Sequence, residues 1–259
     1  MLTRFRNDIL AALLLLVLAT AFFWPVLGGG KTLLPADNLY QFLPWRTLAS
    51  EQGVTAPYNA LLSDLILENY PWKQLIVDAV RNRELPLWNP YLFGGVPFLA
   101  AGQHSALYPL SIVYYVMPLE MAFGVFSALA LFVAALNMYM LVRVLGGGYV
   151  GGIVAAITYA FSSFFVVSTV FPMVISAAAW LPLLIAIIEL LAQRVPGRAT
   201  PLIVAGALVT GVQFLAGHVE ISYYNMMVLG FYTLARAIML WRETRSSGPA
   251  VRLVLQAMV

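Results

Sequence analysis

The chain has 259 residues, 62% of them hydrophobic and only 10% charged, with a mean hydropathy of +0.87 and a net charge of +3. A soluble domain carries about a quarter charged residues, so this chain has too little polar surface to face water throughout, and lipid is its expected solvent. The absence of cysteine excludes disulfides, thiolate metal sites and cysteine nucleophiles, and the small net charge, carried at the ends of apolar segments, argues against nucleic acid as a partner.

The first apolar segment, residues 9–27, follows Arg4 and Arg6. It is longer than the core of a signal peptide and ends in Phe22-Phe23-Trp24-Pro25 rather than in a small-residue cleavage site, so residues 1–27 read as an uncleaved first span. Residues 28–119 then change in character, gathering prolines, tryptophans and most of the acids into one large loop. The loop holds an internal repeat. Asp37 is followed after six residues by Pro44-Trp45-Arg46, and Asp64 after six residues by Pro71-Trp72-Lys73. Each copy reads as an Asp capping a short amphipathic helix, with the Pro-Trp pair ending that helix and setting an indole at headgroup level. Arg46 and Lys73 would then snorkel toward lipid phosphates. The stretch from Leu85 through Leu-Pro-Leu-Trp-Asn-Pro-Tyr and Gly94-Gly95-Val96-Pro97 to Gln103-His104 is too rich in proline and glycine for a helix and predicts a specified irregular path over a cavity. Residues 108–118 are too short to span and predict a re-entrant or interfacial piece.

Residues 120–245 predict a helical bundle with spans at 120–142, 149–170, 174–192, 201–217 and 221–241, and residues 246–259 the start of a further helix on which the chain ends. The expected fold is therefore all-α, with about six transmembrane helices and one large extracytoplasmic loop carrying short interfacial helices. Sidedness follows from charge. With the N-terminus cytoplasmic, nine of the 14 basic residues (Arg4, Arg6, Arg143, Arg194, Arg198, Arg236, Arg242, Arg245 and Arg252) fall inside against three acids, as the positive-inside rule requires. His218 and Glu220 lie in the turn between the last two spans, where an ionisable pair at membrane depth is a candidate for substrate binding or, as a hydrated interfacial turn, for nothing more. Glu120 suits the positive end of the helix it begins, and Asn137 is placed to bond a neighbouring helix. The glycines at 146–148 predict a turn and close packing, since the strand and lysine of a phosphate-binding loop are missing.

The order of these motifs, Asp then Tyr-Pro-Trp, Leu-Pro-Leu-Trp-Asn-Pro-Tyr, Gly-Gly-Val-Pro-Phe, Gln-His and Leu-Tyr-Pro, followed by many spans and a Gly-His-x-Glu segment, resembles the YfhO-type bacterial membrane proteins of the GT-C class of polytopic glycosyltransferases. The resemblance covers nearly the whole chain and corresponds to the N-terminal portion of such proteins. It implies transfer of a sugar from a polyprenyl-phosphate carrier in the bacterial inner membrane to an acceptor on the extracytoplasmic face. It also implies an acidic residue in the first outer loop, a place that Asp37 matches best and Asp64 second. Arg46, Lys73 and His104 become candidates for substrate contacts, and a divalent ion, Mg²⁺ or Mn²⁺, on Asp37 or Asp64 a candidate cofactor. Two readings from other classes stay open: a transporter or flippase for a lipid or polymer, and a structural subunit whose aromatic loop binds a partner.

Overall fold

A computed structural model describes residues 2–55, 59–193 and 199–258. Arg194 and Arg198, counted above toward sidedness, lie outside them. Among the described residues the chain is helical except for turns and one two-residue antiparallel pairing.

Helix α1 (Leu2–Phe22) runs into a short second helix, α2 (Trp24–Leu27), the step falling where Pro25 cannot continue the first hydrogen-bond ladder. The segment that follows folds over the end of the bundle. It comprises 3-10 turns at Ala36–Gln41, Trp45–Leu48 and Ala60–Leu62, a π-turn at Leu65–Asn69, helix α3 (Tyr70–Arg81), strands β1 (Trp88–Asn89) and β2 (Val96–Pro97), and further 3-10 turns at Leu99–Ala101 and Pro109–Ser111. The predicted non-spanning piece is the short helix α4 (Ile112–Val116), whose Tyr114 packs on Phe123 and Phe126 of α5 (Leu119–Val144). Then come α6 (Tyr149–Ala160), α7 (Ser163–Val167), α8 (Pro172–Ala178), α9 (Leu181–Ala192), α10 (Ala199–Leu215), α11 (Val219–Thr244) and α12 (Ser247–Ala257).

Helix α5 is the hub. Its buried face carries Ala122, Ala128, Ala130, Ala134 and Ala135, small side chains that let α1, α6, α8 and α9 approach closely where apolar solvent offers no hydrophobic drive to pack. Gly152 serves the same end on α6, since a Cβ there would stand 2.8 Å from the Tyr139 ring. The predicted glycine turn is present, with Gly146 at φ +86°.

Two helices, Leu119–Val144 and Pro172–Ala192, are long and apolar enough to cross a membrane; the pair Tyr149–Ala160 and Ser163–Val170, bent by 43°, makes a third if taken as one span. The predicted segments 201–217 and 221–241 are helical but fall short of that length or apolarity among the described residues. α10 has 17 residues, and α11 dilutes its apolar residues with tyrosines, Glu220, Arg236 and Arg242.

The span 172–192 breaks at Ala179-Trp180, because Pro182 has no N–H to offer the Ala178 carbonyl. Backbone carbonyls freed inside an apolar bundle must find donors. Three neighbouring helices supply them: Asn225 Nδ2 donates to Ala177 O at 2.9 Å, the Tyr159 hydroxyl to Ala178 O at 2.9 Å, and Asn137 Nδ2 to Ala179 O at 2.8 Å. The expected interhelical bond of Asn137 is thus made, and its target is a helix break. Asn137→Leu is expected to cost about 1–2 kcal/mol, read as a lower thermal midpoint of the purified protein in micelles; an unchanged midpoint would remove the carbonyl-satisfying role.

The two ends of the bundle differ. At the end away from the capping segment, Arg143 pairs with Asp8 at 3.0 Å, Gln193 donates to Val144 O, and Arg236 holds Glu189 through two bonds of 2.7 and 3.0 Å. Two of the basic residues assigned to one face by charge, Arg143 and Arg236, lie at this end, each paired with an acid.

Candidate functional site in the capping segment

The two repeat copies fold against each other. Asp37 is half-buried in the first turn of the 3-10 helix Ala36–Gln41, and Asp64 is exposed at the N-cap of the π-turn Leu65–Asn69. Between them lies Asn38, fully buried, whose Nδ2 donates to Asn59 O at 2.7 Å and to Ser63 Oγ at 3.5 Å. The residue after one aspartate thus bonds the residue before the other. Among the described residues, Asn38 Oδ1 and Gln41 Nε2 are buried without a hydrogen-bond partner. Buried polar atoms are nearly always paired in native proteins, so these two, on the 3-10 helix that carries Asp37, are open to a water or a ligand group.

In their second halves the copies part company, against expectation. Pro44-Trp45 follows the first 3-10 helix and opens another, Trp45–Leu48, with Trp45 and Arg46 exposed. Pro71-Trp72 does not end a helix: it begins α3. Proline in the first turn loses no hydrogen bond there and has φ already set for helix. The Asp64 carboxylate makes no cap bond to the backbone, so the capping role predicted for it is not used.

Starting α3 at Tyr70 turns Lys73 inward. Lys73 is 2% exposed and does not snorkel to any surface. Its Nζ donates to His104 O at 2.5 Å and to Ser105 Oγ at 2.9 Å, and stands 4.3 Å from the centroid of the Tyr114 ring. Burial draws its pKa down to about 7. It is a bolt between α3 and the 98–106 turn rather than a phosphate contact.

His104 is equally occupied. Its Nδ1 accepts the Ala106 N–H at 3.1 Å, which leaves Nε2 to donate to Phe98 O at 2.8 Å, and its ring stacks on Phe98 at 4.2 Å. Burial lowers its pKa, which keeps this neutral tautomer. A ring with both nitrogens committed has no lone pair for a metal or substrate. Among the described residues no three His, Asp or Glu side chains converge to hold an ion, so a multi-ligand protein cage does not form there; Mg²⁺ carried by a phosphate needs only one or two carboxylates.

His218 and Glu220 settle as helix-start residues. His218 is the N-cap of α11, its Nδ1 accepting the Ile221 N–H at 3.2 Å, while Glu220 accepts the Tyr224 hydroxyl at 2.6 Å. Burial lowers the His218 pKa against the upward pull of Glu220. Their turn is nonetheless beside the capping segment: at Gly217, φ +92°, a Cβ would lie 2.6 Å from Gly102 O. Gly217→Ala is expected to cost about 1–3 kcal/mol, through both the left-handed backbone and the collision, and to loosen the 98–106 turn in hydrogen exchange; native protection of that turn would disprove the contact's importance.

Beyond these residues, a cleft of about 650 Å³ opens between α3 and the turn around Trp88, lined by Trp72, Asp78, Glu84, Trp88 and Tyr91 among others. Neither repeat aspartate lines it. Motif reading passed over it because its walls come from residues with no common spacing. The exposed Trp88 in a stretch fixed by proline and glycine was the one available signal.

Compared with protein-family models, curated proteins and solved structures, the chain matches none.

Proposed function

We propose that the chain is a multi-pass inner-membrane protein of six spans, N-terminus cytoplasmic, and that it is a YfhO-type, GT-C-class transferase moving a sugar from a polyprenyl-phosphate donor to an acceptor at the extracytoplasmic face. The observation that carries this reading is the pairing of the two repeat copies through Asn38, which sets two carboxylates, Asp37 and Asp64, on touching elements beside buried polar atoms that lack protein partners. The gathering of Arg143 and Arg236 at the opposite end of the bundle supports the sidedness.

In this reading Asp37 accepts the proton of an acceptor hydroxyl as that oxygen bonds the anomeric carbon. The bond from that carbon to the carrier phosphate breaks, and polyprenyl phosphate departs with the electron pair. A positioned carboxylate contributes about 10²–10⁴-fold to such a step. Arg46, on the turn that packs against the one carrying Asp37, is the cation for the departing phosphate, because Lys73 is spent on structure.

The test is reconstitution of the purified protein in liposomes with polyprenyl-phosphate sugars and a hydroxyl acceptor. Sugar appearing on the acceptor supports transfer, and chelation reads any need for Mg²⁺ or Mn²⁺. Carrier lipid that crosses the bilayer with no new glycosidic bond would replace this reading with the flippase one.

A further inference from the structure

We propose that the cleft between α3 and the Trp88 turn binds a saccharide that carries neither phosphate nor carboxylate. The inference goes beyond the transfer reading and holds whether or not Asp37 is a base.

The cleft has a built aromatic wall. Trp88 is 54% exposed, yet it is fixed: its backbone pairs with Pro97, and its indole lies against Gly95 so closely that a Cβ there would be 2.5 Å from Nε1. Gly95 has φ +120°, so both the backbone and the indole require glycine. Tyr91 is 83% exposed, and its backbone N–H donates to Asn89 Oδ1 at 2.9 Å. Trp72 lines the cleft from α3. A large indole left exposed but held in place, with two further rings beside the cleft, suits a partner that stacks on it. The ring face is electron-rich, and the C–H face of a pyranose, slightly positive and flat, complements it.

The polar groups select further. Glu68, Asp78 and Glu84 line the cleft, and among the described residues no Lys, Arg or His does, so an anionic ligand would be repelled. Asp78 is oriented by Gln74, whose Nε2 donates to its Oδ1 at 2.9 Å. Carboxylates accept from hydroxyls, two lone pairs to each oxygen. Gln74, Asn82 and Asn89, also in the lining, add N–H donors that hydroxyl oxygens can accept. Rings, acceptors and donors together fit a polyol. The cleft's size is within the range of small-molecule sites.

The experiment titrates cellotetraose, maltotetraose and chitotetraose into the full chain held in amphipol, since a maltoside detergent would itself be a ligand. Binding is read by tryptophan fluorescence and by saturation transfer from protein to sugar protons. At least one sugar is expected to bind with Kd between about 10 µM and 10 mM. Trp88→Ala and Gly95→Ala should weaken it about 10-fold or more, Trp88→Phe should retain most of it, and Glu84→Gln should weaken it a few-fold. Oligogalacturonate should bind worse than any neutral sugar. Asp37→Asn should leave binding intact, so that loss of transfer and loss of binding are separate results. The proposal is overturned if none of the three sugars binds, if Trp88→Ala binds as well as the parent, or if tetralysine displaces the sugars at equal concentration.

Discussion

Asp37→Asn is expected to lower sugar-transfer turnover by about 10²–10⁴-fold with little change in the donor concentration giving half-maximal rate, because it removes a proton acceptor used only as the bond forms. The amide keeps the shape and the hydrogen-bonding edge of the carboxylate, so the 3-10 helix Ala36–Gln41 and the buried Asn38 beside it should fold as before. Asp64→Asn is expected to do much less. Asp64 is exposed and its carboxylate caps nothing, whereas Asp37 is half-buried next to the unpartnered Asn38 and Gln41 atoms. A third variant, Asn38→Ala, separates position from chemistry. It cuts the tie to Asn59 and Ser63 that joins the two copies, so it should reduce turnover while leaving the pH profile of the remaining activity unchanged. The base assignment fails if Asp37→Asn turns over at the parent rate, or if Asp64→Asn is the variant that abolishes transfer.

The bundle was legible in the sequence because its signal is long and additive. Twenty apolar residues in a row have few alternatives, and α5 and the stretch 172–192 came out where hydropathy put them. Two of the arginines counted for sidedness, Arg143 and Arg236, fold into ion pairs with Asp8 and Glu189, contacts that no local spacing foretold. The capping segment was legible as motifs but not as contacts. The repeat predicted two equivalent copies, yet one proline sits behind a 3-10 turn and the other heads a helix, and this difference buries Lys73 while it exposes Arg46. Local spacing cannot distinguish the two, since the helix that follows Pro71 depends on Ile76 and Val77 reaching an apolar floor supplied from far along the chain. His104 misled for a related reason. A histidine in a polar turn reads as available until its partners, Phe98 O and Ala106 N–H, are placed.

Lys73 should make the capping segment less stable near neutral pH than in mild alkali. In the unfolded chain its pKa is near 10.5, and in the folded one burial draws it to about 7. Between those values the unfolded state binds the extra proton, so stability rises with pH across the window and is flat below it. The contacts from Nζ to His104 O, Ser105 Oγ and the Tyr114 ring favour the ammonium and temper the effect. From pH 7 to 9.5 the gain has a ceiling of about 3 kcal/mol. Above roughly pH 10 the slope reverses, because burial holds Tyr108 and Tyr114 neutral in the fold while an unfolded tyrosine ionises there. His104, whose pKa burial lowers, adds a gain of the same sign at more acidic pH. The measurement is the tryptophan-monitored melting midpoint in micelles at steps between pH 6.5 and 9.5, and it should climb by several degrees. Lys73→Met, which fills the space without charge, should flatten that climb above pH 7. Lys73→Ala should lower the midpoint at every pH, at a cost of about 2–4 kcal/mol, because it leaves the His104 carbonyl and Ser105 hydroxyl unpaired over a void. A parent profile that stays level or falls between pH 7 and 9.5 would mean that Lys73 stays charged, held by its two acceptors and the tyrosine ring against the cost of burial.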